Sequence, residues 1–358
     1  MLVDLRTDAM SRPTEEMIDA MTTAARSIPG FGLKHDPTVS RLEEMAAAKL
    51  GKESALFCPT CTLCNQIAVH IVCSPGESFV AEELSHLIVA EAGAVASLSG
   101  VMPVPVKGSR GTPDVQNLQN AVRKGDEQRP RTALIVLENT HVYSGGAVVP
   151  ISVMEELSNF SQEVAIPIHL DGSRLFNAAS FLGVSVDEIA GYCDSVSISL
   201  NKGLAAPLGA ILAGERDFVR EAVRVRQMFG GGWRPANILA AAGIVALETM
   251  TERIGEDHIQ AKRLAEGLEN FNGLDVDPAM VDTNIVLARV DPLQISMDHL
   301  ISRLEKAEIL VIALSAGAQN TIRMVTHHEI TPEHVDHALD VISQVIDLET
   351  DNQDQINA

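Results

Sequence analysis

Short apolar runs alternating with helical patterns over the first two-thirds of the chain predict an α/β fold on a mostly parallel sheet with helices on both faces. The strand-like runs fall at 55–58, 79–82, 132–137, 166–170, 195–200 and 210–213. Helical spacing fills several of the gaps, at 39–50, 153–163 and 216–228. A second, smaller α/β unit follows a long Ala-rich helical stretch at 235–269. It alternates like a strand at 283–289 and 321–325, with a helical pattern at 297–307. A last helix spans 331–348, with Thr331 as N-cap and Pro332 at the first helical position. The expected division is 1–248 for the large unit, 249–348 for the small one and 349–358 for a polar, fraying tail.

Length and composition agree with two packed domains. At 358 residues the chain exceeds a single typical core, and 46% hydrophobic with 21% charged residues is ordinary for a globular enzyme. The formal charge of −21 repels phosphate backbones and anionic lipid, so neither nucleic acid nor membrane is an expected partner. An anionic cofactor must then be captured locally, by arginines and backbone N–H groups. Five cysteines, four of them crowded between Cys58 and Cys73, make no disulfide framework for this length and suit reduced thiols. The opening MLVDLRTDAM lacks the basic-then-apolar layout of a signal peptide, which leaves the cytoplasm as the expected compartment.

Three segments carry chemistry. In SVSISLNKGLAAPLGAILAG, Lys202 follows a strand-like run and precedes small or rigid residues that let a planar cofactor approach. Desolvation there would lower its pKa, as a Schiff-base amine requires. A solvated surface lysine is the plain alternative. In IHLDGSRLFNAA, His169 and Asp171 share a strand face, and Asp171 sits at the strand end where α/β sheets place ligands. A carboxylate there suits a protonated pyridine nitrogen, and Arg174 suits a cofactor oxygen or the substrate. A helix-capping Asp with a surface Arg is the plain alternative. In CPTCTLCNQ, Thr60, Thr62 and the N–H groups of the following helix form a phosphate cradle. The same segment places Cys58, Cys61 and Cys64 at the C-x2-C-x2-C spacing of iron–sulfur ligands, with Cys73 as a fourth. A zinc site lacks a second clean pair, and no metal is assigned.

With these segments in hand, the chain resembles the threonine aldolases, the β-eliminating lyase group of fold-type I pyridoxal-phosphate enzymes. The likeness runs from DLRTDAMSRPT through DPTVSRLEEMAA, GKESALF, CPTCTLCNQ, SHLIVAEAGAVASLSG, LENTHVYSGG, HLDGSRLFNAA, SISLNKGLAAPLGA, MFGGGWRP and VDTNIV to IRMVTHHEIT. It implies the aspartate-aminotransferase-like fold, with a seven-stranded, mostly parallel large-domain sheet. It also implies pyridoxal 5′-phosphate as cofactor, an amino acid as substrate and a homotetramer of dimers with sites at subunit interfaces. The implied reaction is retro-aldol cleavage of an L-β-hydroxy-α-amino acid, of the threonine or allo-threonine type, to glycine and an aldehyde. Other pyridoxal-phosphate reactions stand as alternatives: β-elimination, racemisation, amino transfer or transfer of the glycyl carbanion. An iron–sulfur protein is the remote one.

The resemblance also implies roles. Lys202 matches the lysine that holds the cofactor, Asp171 the partner of the pyridine nitrogen, and Arg174 an arginine beside the ring oxygen that also serves the substrate carboxylate. His86 matches a histidine stacked on the ring, and His141 a second one facing the β-hydroxyl. The base is His141 or His86, directly or through water. Cys61 and Thr62 match the phosphate loop, and Arg234 an arginine that reaches the phosphate from a neighbouring subunit. Thr7 and Arg323 match groups that hold the substrate carboxylate. Glu138 and Asn139 are expected to shape a strand end, and His327 and His328 to be structural.

The chain departs from the family around these positions. Cys61 and Cys64 replace two phosphate-loop glycines, adding bulk where backbone must approach a phosphate. Thr7 and Asn201 stand where serine is usual, and Val142 where a small polar residue follows the histidine. Trp233 and Pro235 replace Met and Gln around Arg234. Leu33, Lys34 and His35 occupy the place of a Tyr-Gly pair.

Overall fold

Short polar side chains mark where the helices begin. Asp36 accepts from the N–H groups of Thr38 and Val39, with Pro37 opening the Pro37–Lys49 helix. Thr60 accepts from the N–H of Leu63 at the start of Cys61–Val72. The computed structural model describes residues 1–30, 36–290 and 296–357. Leu33, Lys34 and His35, one of the departures noted above, lie outside the described residues.

The large unit is built on a seven-stranded sheet in the order Ser54–Cys58, Ala210–Gly214, Ser195–Ser199, Ile168–Gly172, Thr132–Glu138, Ser78–Glu82, Met102–Val106. Only Ala210–Gly214 runs against its neighbours. Six of the seven match runs seen in the sequence, because strands buried on both faces read as continuous apolar stretches. Met102–Val106 does not, since Pro103 and Pro105 break that signal. At the sheet edge those prolines withhold no N–H that a further strand would need.

The small unit has a four-stranded antiparallel sheet in the order Leu274–Asp275, Ile285–Val290, Thr321–Val325, Ile312–Ala313. Its core gathers Ile322, Met324, Leu264 and Leu268 with Val3 and Leu5 from the chain's start. Val3–Asp4 pairs in parallel with Ile309–Leu310, so the first residues, numbered within the large unit, are anchored on the small one.

The single helix expected at 235–269 is two, Asn237–Thr249 and Ile254–Leu268, separated by a 3-10 turn at Met250–Glu252. Threonines account for the break: Thr249 Oγ1 donates to the Val245 carbonyl (2.9 Å) and Thr251 Oγ1 to that of Leu247 (3.4 Å), contacts that bend a helix. The last helix is Pro332–Asn357, running beyond the end that its apolar spacing predicts. Among the described residues no helix is long and apolar enough to cross a membrane.

Candidate active site

Register at the carboxyl ends of the central strands assembles the site. Glu138 pairs with Asp171, and Asp171 with Ser197, on three adjacent strands. Lys202 follows a short way beyond Ser199, so it reaches the same end. The opposite wall comes from the small unit. On Thr321–Val325, Ile322 and Met324 face the small core, so Arg323 must point the other way, with Val325. Between the walls lies a half-open cleft with about 530 Å³ of empty space, lined by Thr7, His86, Asp171, Arg174, Lys202 and Arg323, with Glu138, Thr140, Val142 and Tyr143 at its margins. Six of the ten residues expected at the site thus meet in one place.

Asp171 is buried and held from two directions. Asn65 Nδ2 donates to Oδ2 (2.8 Å) and the Ser173 N–H to Oδ1 (3.1 Å). Burial alone would raise its pKa, but the charges of His86 and Lys202 and these hydrogen bonds hold it below the ordinary carboxylate value. It is an anion. Burial, helped by the nearby Arg174 charge, lowers the Lys202 amine despite Cys61, Asp171 and Asp8 pulling it upward.

His169 supports Asp171 from within. Carboxylates only accept, so the Asn65 amide nitrogen must face Asp171 and Glu91, and its oxygen is left to accept from Ser197 Oγ (2.8 Å) and His169 Nε2 (3.1 Å). His169 therefore carries its proton on Nε2, and Nδ1 accepts from Ser195 Oγ (2.8 Å). Burial lowers its pKa to about 4, which keeps the ring neutral.

Arg174 is gripped by Asp8, with Nε to Oδ2 at 2.8 Å and Nη2 to Oδ1 at 2.6 Å. Burial would raise Asp8, but the charge and hydrogen bonds of Arg174, with Lys202 and Asn284, bring it down to about 2. Arg323 Nη2 donates to the Arg6 carbonyl at 3.1 Å, and its buried Nε has no partner among the described residues. An unpaired guanidinium N–H at a cleft wall is a waiting anion site. Thr7 accepts from the N–H of Ala9.

His86 presents its ring to the cleft, with Nδ1 2.9 Å from Glu91 Oε1. Burial would lower its pKa, yet that hydrogen bond and the charges of Asp171, Glu91 and Glu138 raise it. Glu138 ties the strand end as expected, accepting from the N–H groups of His86 (2.6 Å) and Val142 (2.8 Å). Asn139 reaches Val149 with both ends of its amide. His327 Nε2 donates to the Asp4 carbonyl and His328 Nε2 to that of Arg12, structural ties both.

Two expected residues lie elsewhere. His141 does not face the cleft: its ring is fully buried, with Nε2 3.1 Å from Glu82 Oε2, against Gly111. A β-carbon on Gly111 would fall 2.1 Å from His141 Cγ, and Gly111 has φ +74°, so glycine is required there twice over. The neighbours Thr140 and Val142 line the cleft instead. Arg234 lines a separate depression with Asp36, Arg226 and Trp233.

The segment expected to hold the phosphate accommodates its cysteines by turning them inward. Cys64 is buried among Ile67, Leu212 and Val225, and the Cys61 thiol lies 3.4 Å from Ser197 Oγ. Thr62 sits in the first turn of Cys61–Val72, whose N-terminal N–H groups are the expected cradle. Burial, with the Asp171 charge, pushes the Cys61 thiol up to about 12. Among the described residues the cysteines form no convergent set of ligands, and Cys73 packs in a different core from Cys64. Among the described residues the only convergent group of three or more metal-ligand side chains is His86, Glu91 and Asp171. The Asn65 amide already bridges its two carboxylates.

Asp8, Asn65 and Glu91 were not singled out from the sequence. Asp8 lies in the DLRTDAM segment and Glu91 in SHLIVAEAG, but separations of 166, 106 and 26 residues hide their partnerships with Arg174, Asp171 and Asn65.

Comparison with known proteins places this architecture. The family model for the β-eliminating lyases matches residues 4–291. Low-specificity L-threonine aldolase 1 of Arabidopsis thaliana is 38% identical over 349 residues, covering 96% of each chain. The low specificity L-threonine aldolase of Escherichia coli (strain K12) is 37% identical over 335 residues, covering 93% of this chain and 96% of its own. The solved threonine aldolase of Leishmania major superposes with a TM-score of 0.82 at 19% identity, over 95% of this chain and 98% of that one. The fold and the sequence matches define a member of the β-eliminating lyase family. Within that group the chain belongs to the threonine aldolase family.

Proposed function

We propose that Lys202 holds pyridoxal 5′-phosphate and that the protein cleaves the Cα–Cβ bond of an L-β-hydroxy-α-amino acid, of the threonine or allo-threonine type, to glycine and an aldehyde. The observation that carries this is the convergence of Lys202, anionic Asp171 and the unpaired Arg323 Nε on one cleft. The donor set fits the cofactor. Asp171 offers a buried anion for a pyridinium nitrogen, Lys202 an amine with a lowered pKa, and the first turn of Cys61–Val72 a set of N–H groups and the Thr62 hydroxyl for a phosphate.

When bound, pyridoxal phosphate supplies an electron sink for the pair left by the breaking Cα–Cβ bond. The chain's own groups do the rest. Arg323 anchors the substrate carboxylate, with Thr7 beside it, and so fixes which bond at Cα is presented. Arg174, held by Asp8, keeps its free edge on the ring-oxygen side. His86 accepts the β-hydroxyl proton, being the imidazole at the cleft surface while His141 is enclosed. Asp171 keeps its charge throughout because Asn65 and Ser173 stabilise the ionised form.

The position of Arg234 outside this cleft supports its service to a neighbouring copy, and a homotetramer of dimers in the cytoplasm is the proposed assembly. Incubation with L-threonine tests the reaction. Glycine and acetaldehyde are expected, whereas 2-oxobutanoate with ammonia would mark β-elimination and 3-hydroxy-2-oxobutanoate would mark amino transfer instead.

A further inference from the structure

Glu91 is a buried carboxylate that the reaction above does not use, and three donors converge on it. His86 Nδ1 lies 2.9 Å and Asn65 Nδ2 2.9 Å from Oε1, and Gln66 Nε2 lies 2.6 Å from Oε2. Its side chain is sealed from solvent, whereas that of His86 is 30% exposed. A carboxylate accepts only, so His86 Nδ1 must carry a proton. In the neutral ring Nε2 is then the acceptor, and it has no hydrogen-bond partner among the described residues.

We infer that Glu91 is a positioning residue for the proton transfer, fixing the His86 tautomer so that Nε2 is the base offered to the cleft, and matching the charge when that nitrogen takes a proton. The inference rests on the proposed retro-aldol reading. In the step, the substrate hydroxyl proton passes to Nε2 and the oxygen's electron pair becomes the second bond of the aldehyde carbonyl. The imidazolium so formed is balanced by Glu91. The same arrangement of a buried acid behind an imidazole serves hydrolytic triads and metal-bound histidines. Asn65 extends it, since one amide nitrogen joins Glu91 to Asp171 and sets the distance between the base and the ring-facing anion.

The groups facing His86 are Glu91 and, on other elements, Glu138 and Asp171, all acidic. Each raises its proton affinity, and Glu91 alone does so through a hydrogen bond to the ring. Glu91→Gln therefore removes one charge with little change in shape. The new amide oxygen can accept from His86 and Asn65. Gln66, whose Oε1 is buried without a partner, can turn its own amide to meet the new N–H group.

The test is the pH profile of kcat/KM for threonine cleavage in Glu91→Gln, with bound cofactor followed by its absorbance. The expected result is full cofactor loading, an acidic limb moved down by about one pH unit as His86 loses its partner charge, and a lower plateau. His86→Phe should lose that limb altogether. An unmoved limb in loaded Glu91→Gln would overturn the inference, as would a limb that persists in His86→Phe. Should Glu91→Gln fail to fold, Glu91→Asp serves in its place. It keeps the charge and lengthens the contact, so the limb should move partway, and no movement overturns the role. Wild-type protein that binds no pyridoxal phosphate would instead defeat the underlying functional reading.

Discussion

Asp8 and Arg174 form a bidentate ion pair, 2.8 and 2.6 Å, across 166 residues of sequence; both are buried, and Arg174 lines the cleft. The pair ties the chain's first turn to the strand end that carries Asp171. With Val3–Asp4 seated on the small unit, it also sets how the Arg323 wall stands over Lys202.

Loss of this pair should be costly. Removing one partner of a buried ion pair strands the other, so Asp8→Ala is expected to destabilise by roughly 3–5 kcal/mol in urea unfolding. The pH dependence has a definite sign. Asp8 is held at about 2 against an ordinary 3.8, so its contribution is full above the ordinary value and lost as pH falls through the lower one. The part due to this shift is on the order of 2 kcal/mol, and Asp8→Asn should flatten the acid side of the stability curve by that amount.

Arg323 should act on substrate rather than cofactor. Arg323→Ala is expected to raise KM for threonine by about tenfold to a hundredfold while cofactor absorbance is unchanged. Arg323→Lys should fall between, because a point charge cannot replace a fork. Steady-state kinetics read both, and an unaltered KM in the alanine variant would remove Arg323 from the site.

His141 and Gly111 should behave as a packing pair. Gly111→Ala forces a β-carbon into the His141 ring at positive φ, and a loss of about 1–3 kcal/mol is expected from the overpacking. His141→Ala should lower Tm and leave KM for threonine unchanged. A raised KM at unchanged Tm would place that ring in the substrate pocket after all.

Much of this was legible in the sequence. Apolar runs marked six strands of the large sheet, the alternation at 321–325 marked the strand that carries Arg323, and Lys202 and Asp171 stood at strand ends where ligands gather. What escaped has physical reasons. Pro103 and Pro105 disguised an edge strand, and threonine back-bonding cut a helix whose apolar pattern ran on unbroken. The hub of Asn65, Glu91, His169 and Ser197 joins residues from four separate segments, and no local spacing announces such a meeting. His141 sits between two residues that do line the cleft, a rotation about the local backbone that spacing does not encode.

The cysteines should be inert in the native protein. Cys58, Cys64, Cys73 and Cys193 are buried, and Cys61 is held as a thiol with a pKa of about 12. A disulfide reagent at neutral pH is expected to titrate almost none of them before unfolding and all five afterwards. Rapid native reaction at Cys61 would contradict its inward placement against Ser197.

The most direct test is borohydride reduction of protein loaded with pyridoxal phosphate, followed by peptide mass analysis. The expected result is a yellow protein that bleaches, with a pyridoxyl group on the peptide containing Lys202 and no other, and neither colour nor label in Lys202→Ala. A label on a different lysine, or cofactor-dependent cleavage of threonine that survives in Lys202→Ala, would contradict it.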